Sequence, residues 1–123
     1  MSLFNPPHAA VWFEIPVSDL AKSKAFYGAV LQSEFEDMAM GPNVTAIFKR
    51  ASESGVSGHL YAGKPPASGT GITIHLAAPS PLEASLERVK EAGGQVVSDI
   101  VAIPAGRFAY CLDLDGNSFG LFV

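Results

Sequence analysis

An apolar stretch, Val11-Trp12-Phe13-Glu14-Ile15-Pro16-Val17, predicts a strand, and Ser18-Asp19-Leu20 hands it over to a helix ending near Leu31. Further along, Ile72-Thr73-Ile74-His75-Leu76-Ala77-Ala78 does the same, with Pro79-Ser80-Pro81-Leu82 opening a helix that runs to Ala92. The first helix is expected over residues 19–32. Ser18 or Asp19 is its N-cap, because a side-chain oxygen there accepts a free backbone N–H of the first turn. Leu20, Ser23, Tyr27, Val30 and Leu31 fall on one face, with Lys22 and Lys24 away from it. The second helix is expected over residues 80–92. Ser80 caps it, Pro81 suits the first helical position, and Glu83 completes a capping box. Leu82, Leu86 and Val89 form its apolar stripe, and Gly93-Gly94 end it.

Between the helices, Phe35 to Met40, Val44 to Lys49 and Val56 to Ala62 read as strands, with turns at Gly41-Pro42-Asn43 and Ala51 to Gly55. After the second helix, Gln95 to Ile103, Arg107 to Leu112 and Ser118 to Val123 read as three more. Asp115-Gly116-Asn117 closes the last hairpin. Each copy is thus a strand, a helix and three strands, and eight strands are expected in all. Residues 1–123 form one α+β domain of two βαβββ modules, at about 9–63 and 71–123, joined by the linker Lys64 to Gly71. A chain built from two copies tends to place its site between them.

Composition narrows the function. A hydrophobic fraction of 48% and a mean hydropathy of +0.25 exclude intrinsic disorder. Eight Lys and Arg against twelve Asp and Glu give a net charge of −4, and no basic stripe is present, which argues against nucleic acid. No apolar run is long enough to cross a bilayer, and the opening lacks the pattern of a secretory leader. The single cysteine, Cys111, excludes an internal disulfide and fits the cytoplasm. Within Phe108-Ala109-Tyr110-Cys111-Leu112 it reads as a packed core thiol rather than a nucleophile. There is no phosphate-binding loop, nucleophile elbow or Cys/His zinc spacing.

The opening Val-Trp-Phe-Glu-Ile-Pro-Val-x-Asp-Leu-x-x-Ser-x-x-Phe-Tyr and the closing Asp-x-Asp-Gly-Asn-x-Phe-Gly-Leu resemble the vicinal oxygen chelate superfamily. That superfamily includes glyoxalase I, bleomycin-resistance proteins and extradiol dioxygenases; the Trp-Phe-Glu-Ile-Pro opening resembles its glyoxalase-related branch. The resemblance spans essentially the whole chain and implies two βαβββ modules whose mixed sheets form an open cup. It implies less about chemistry, since the scaffold hosts unrelated activities. Metal-dependent members hold their ion with four inward ligands, mostly His and Glu. Carried over, those positions fall on Trp12, on Gly58 or His59, near Thr73, and on Gly120. Indole and glycine offer no side-chain ligand, threonine substitutes poorly for imidazole, and a catalytic site needs at least three ligands. The resemblance therefore implies that the inherited metal site is gone, and no metal or other cofactor is expected.

Strand alternation puts Glu14 on the face of Trp12 and His75 on the face of Thr73, one rung further along. Glu14 and His75 are the candidate acid/base pair or polar anchors for a ligand; the bland alternative is a structural pair between modules. A displaced metal site of Glu14, His59 and His75 would resemble a two-histidine, one-carboxylate triad. Taken alone, His59 reads as a half-exposed strand residue. Trp12 is either a stacking wall for a flat ligand or a packing residue of the core or a dimer. Tyr110, Phe119 and Phe122 read as core, although one face of the final strand should line the cup. His8 and Arg107 read as solvated loop residues, and Asp113 and Asp115 as caps of the hairpin turn.

These readings predict a protein that binds or sequesters a small organic ligand in a metal-free apolar pocket lined by Trp12, Glu14, His59, Thr73, His75 and Gly120. The alternatives are a glyoxalase-like lyase or isomerase using Glu14 and His75 as acid and base, and a regulatory or scaffold domain that uses the fold for partner contact. Open sheet edges and apolar surface predict a homodimer.

Overall fold

A computed structural model describes residues 2–123. The first module runs β1 (Trp12–Val17), α1 (Leu20–Leu31), β2 (Phe35–Met40), β3 (Asn43–Phe48) and β4 (Ser57–Ala62). The second runs β5 (Ile74–Ala77), α2 (Leu82–Glu91), β6 (Gln95–Val96), β7 (Val101–Ile103), β8 (Gly106–Leu112) and β9 (Ser118–Phe122). One sheet has the order β1-β4-β3-β2 and the other β5-β9-β8-β6, with β7 also on β8. In each, the opening strand lies parallel to the closing one and forms an edge. The α+β class and the two-module plan hold.

The strand expected over residues 95–103 is two, which makes nine among the described residues instead of eight. The Val97 N–H reaches the Tyr110 carbonyl at 2.9 Å, but the Tyr110 N–H goes to Ser98 Oγ at 2.8 Å. A hydroxyl thus stands where the ladder needs a backbone acceptor, and the chain leaves β8 before rejoining it as β7.

Helix α1 begins as expected, with Asp19 Oδ1 accepting from the Lys22 N–H at 3.0 Å. The capping box of α2 does not form. Pro81 occupies the N-cap position with no side-chain cap, and its carbonyl accepts from the N–H groups of Ala84 and Ser85. Ser85 Oγ donates to the Pro79 carbonyl, and Glu83 is taken by Arg107 at 2.8 and 3.4 Å. Arg107 is accordingly paired, and its hydrogen bond lowers the Glu83 carboxyl below its ordinary range.

One apolar cluster joins the modules, with Ile15, Val17, Phe48 and Leu60 meeting Leu76, Leu82, Phe119 and Leu121. Helix α1 supplies the shared centre. Tyr27 lies edge-on to Phe48 at 5.5 Å and to Phe119 at 5.3 Å between ring centres, and Phe26 meets Phe119 at 6.0 Å.

A polar clasp closes the same seam. Asp113, 5% exposed, accepts four hydrogen bonds: from the Asp115 and Asn117 N–H groups, from Asn117 Nδ2, and from the Tyr27 hydroxyl at 2.6 Å. Asn117 Nδ2 also donates to the Pro16 carbonyl, and Asp115 accepts from the Ser18 hydroxyl and N–H. Asp113 and Asp115 do cap their turn, and they also fasten it to the first module.

Candidate functional site

The parallel register of β1 and β4 sets Trp12 opposite Ser57 and Glu14 opposite His59. The Trp12 indole N–H donates to His59 Nδ1 at 3.0 Å. Indole is only a donor, so Nδ1 is the bare nitrogen and the neutral ring carries its proton on Nε2. Nε2 stands 3.1 Å from Glu14 Oε1. His59 is 3% exposed, not half exposed, because the Trp12 and Tyr61 rings close over it at 5.9 and 6.0 Å. Glu14 remains open, with 64% of its side chain accessible. The indole thus holds the imidazole, and Glu14 beside it presents a carboxylate at the surface of the first sheet.

His75 lies on the other sheet, opposite Gly120. Its ring sits where a β-carbon on Gly120 would be, ringed by Phe108, Tyr110 and Phe122 at 5.0, 5.7 and 6.4 Å. Gly120 is therefore the bare floor beneath an imidazole. Glu14 and His75 do not pair; the histidine that meets Glu14 is His59, because β1 and β5 are edges of separate sheets. The displaced triad does not assemble either: among the described residues, no three His, Cys, Asp or Glu side chains are grouped to hold a metal. Gly58 faces Phe13 on the opposite side of β4 from His59. Thr73 shares a hydroxyl–hydroxyl hydrogen bond with Ser118. Phe119 is core, whereas Tyr110 is exposed and Phe122 half-buried. His8 is an exposed loop residue. Cys111 is buried, and desolvation pushes its thiol up to about 12.

A cavity of about 450 Å³ lies between the modules. Trp12, Phe13 and Glu14 form one wall, Ile72, Ile74 and Ser118 the other, and Pro66 of the linker borders it. Glu14 is the only ionisable side chain on its lining among the described residues. A second cavity, about 460 Å³, shares Ala10, Trp12, Phe13 and Ile74 and extends to His75 and Arg50. His59, behind the indole, and Thr73 and Gly120 line neither. Sequence reasoning missed Ile72 and Ile74, whose alternation with Thr73 and His75 was the available signal. It also missed Arg50, whose guanidinium lies 5.5 Å from the centre of the Trp12 ring.

Solved structures with this fold include a glyoxalase/bleomycin resistance protein from Albidiferax ferrireducens T118, 22% identical, with a TM-score of 0.70 over 94% of this chain and 98% of that one. The fosfomycin resistance protein FosX from Listeria monocytogenes is 21% identical, with a TM-score of 0.69 over 97% and 92%. A glyoxalase/bleomycin resistance protein from Streptomyces sp. CB03234 is 27% identical, with a TM-score of 0.61 over 94% and 100%. No curated relative matches the chain. The family profile matches residues 8–121, nearly the full length, and the chain belongs to the Glyoxalase/Bleomycin resistance protein/Dioxygenase superfamily.

Proposed function

We propose that this protein binds a small organic molecule in the cleft between its modules, without a metal, and acts in the cytoplasm as a binding or sequestering protein. The observation that carries this reading is the apolar cavity walled by Trp12, Phe13, Ile72 and Ile74, in which Glu14 is the single charged anchor. A mostly apolar pocket with few polar groups suits a ligand held by shape and oriented at one point. Trp12 supplies the wall for a flat body, and His59 holds that indole by its N–H. The protein works as a homodimer, supported by exposed Met38, Met40, Val101, Ile103 and Tyr110 on the two sheets. A lyase using Glu14 as base is the second reading, favoured by the open carboxylate beside the same cavity.

Trp12 is the only tryptophan, so its fluorescence reports directly on the cleft. Titration with a panel of small aromatics, aldehydes and antibiotics is expected to give saturable quenching by at least one class. Ala10→Phe, which fills the cavity from an exposed position, is expected to remove it. Quenching by none of them, or quenching that survives Ala10→Phe, refutes the assignment.

A further inference from the structure

Three cavities reach Trp12, and the two that share the wall of Ala10, Trp12, Phe13 and Ile74 differ in charge. The one between the modules carries only Glu14, whereas the second carries Lys49, Arg50 and His75 and no acidic side chain on its lining. Lys49 is engaged by Glu34 at 3.2 Å. Arg50 is not. Its guanidinium lies over the Trp12 ring, 5.5 Å from its centre, and its Nε donates to the Ser52 carbonyl at 3.1 Å, while its two terminal nitrogens have no hydrogen-bond partner among the described residues. A third hollow at Trp12 is lined by the same Lys49 and Arg50 together with Glu36 and Glu53, and neither carboxylate pairs with Arg50. In a chain of net charge −4, a guanidinium with no acidic partner among the described residues, beside a cavity, suits an anion.

We propose that Arg50 is the anchor for the carboxylate of the ligand, and that the ligand class is a small organic acid with an apolar, flat body; this rests on the cleft-binding reading above. The body lies on the wall common to both cavities, Ala10, Trp12, Phe13 and Ile74. The carboxylate turns toward Arg50, because Glu14 repels it at the other end. The Nε bond to Ser52 leaves both terminal nitrogens of Arg50 as donors, and a guanidinium edge takes a carboxylate in the paired geometry that arginine favours.

Calorimetric titration of the full chain with 4-phenylbutyrate and with its neutral amide, 4-phenylbutanamide, tests the proposal, with Trp12 quenching as the sign that binding is local. The acid is expected to bind at least ~10-fold more tightly than the amide, the gain typical of a hydrogen bond to a charged group. Arg50→Gln is expected to erase that preference, with acid and amide then binding equally. Arg50 is a loop residue outside the apolar core, and circular dichroism checks that the variant is folded. Equal affinity for acid and amide in the native protein, or a preference that survives Arg50→Gln, overturns the carboxylate anchor while amide binding upholds the cleft. Binding of neither compound overturns both.

Discussion

Removing one oxygen, in Tyr27→Phe, should cost the protein about 1.5–3 kcal/mol, the usual worth of a hydrogen bond to a charged acceptor. The ring keeps its place between Phe48 and Phe119, so no cavity term is added. Asp113 also retains its other three donors, at 2.9, 2.9 and 3.0 Å, which caps the loss. For a chain of this length the expected fall in melting temperature is roughly 5–12 °C. Asp113→Asn is a sharper perturbation of the same clasp. The new amide puts an N–H where Asn117 Nδ2 already donates; Tyr27 can turn to accept, but Asn117 cannot. About 2–4 kcal/mol is expected, with a coupling of about 1–2 kcal/mol in the double variant, since the two share a bond. Alkaline unfolding supplies an independent reading. Burial, then the Asp113 charge and hydrogen bond, hold the Tyr27 hydroxyl well above its ordinary 10.0. An unfolded chain ionises this tyrosine near pH 10 and the folded one does not. The stabilisation is therefore complete below pH 10 and is lost as pH rises from there toward the folded value. Urea titrations between pH 7 and 11 should show a steeper loss in the native protein than in Tyr27→Phe. Equal slopes, with a cost below about 0.5 kcal/mol, would refute the clasp as a source of stability.

Nitrogen NMR of the native protein should find His59 with an unprotonated Nδ1 and a protonated Nε2, and Trp12→Phe should abolish that strict preference. A native His59 protonated on Nδ1 would contradict the Trp12 bond. Cys111 should resist an aromatic disulfide reagent at pH 8 while the protein is folded and react fully in denaturant, because burial suppresses its thiolate; rapid native labelling would show that the core opens there.

Much of this architecture was legible because it rests on local rules. Asp19 before an apolar helical face, and Gly93-Gly94 after the second helix, are signals that neighbouring residues alone interpret. Apart from the one-residue shift that makes Pro81 the N-cap of α2, the departures involve partners distant in sequence. Glu83 looked like half of a capping box until Arg107 on β8 claimed it. Segment 95–103 alternated like one strand, and only the competition of Ser98 for the Tyr110 N–H breaks it. Glu14 was matched with the wrong histidine because alternation gives the face of a side chain but not which strand lies beside it. The β1–β4 register, which pairs positions 14 and 59, is a tertiary fact. Likewise the four bonds of Asp113 needed Tyr27 to arrive from the other module.

Strand β1 carries a proline at the rim of its sheet, and this has a consequence for solubility. A bare edge invites a strand from another molecule to add on, and repeated addition builds fibres. At Pro16 the carbonyl of an incoming strand would find no N–H donor, and the Pro16 carbonyl already accepts from Asn117 Nδ2 at 2.8 Å. The missing donor and the blocked acceptor fall at the same rung. A ladder started at Trp12 would break before the strand ends, so the β1 edge is guarded against strand addition by one imino acid and one amide side chain from the opposite module.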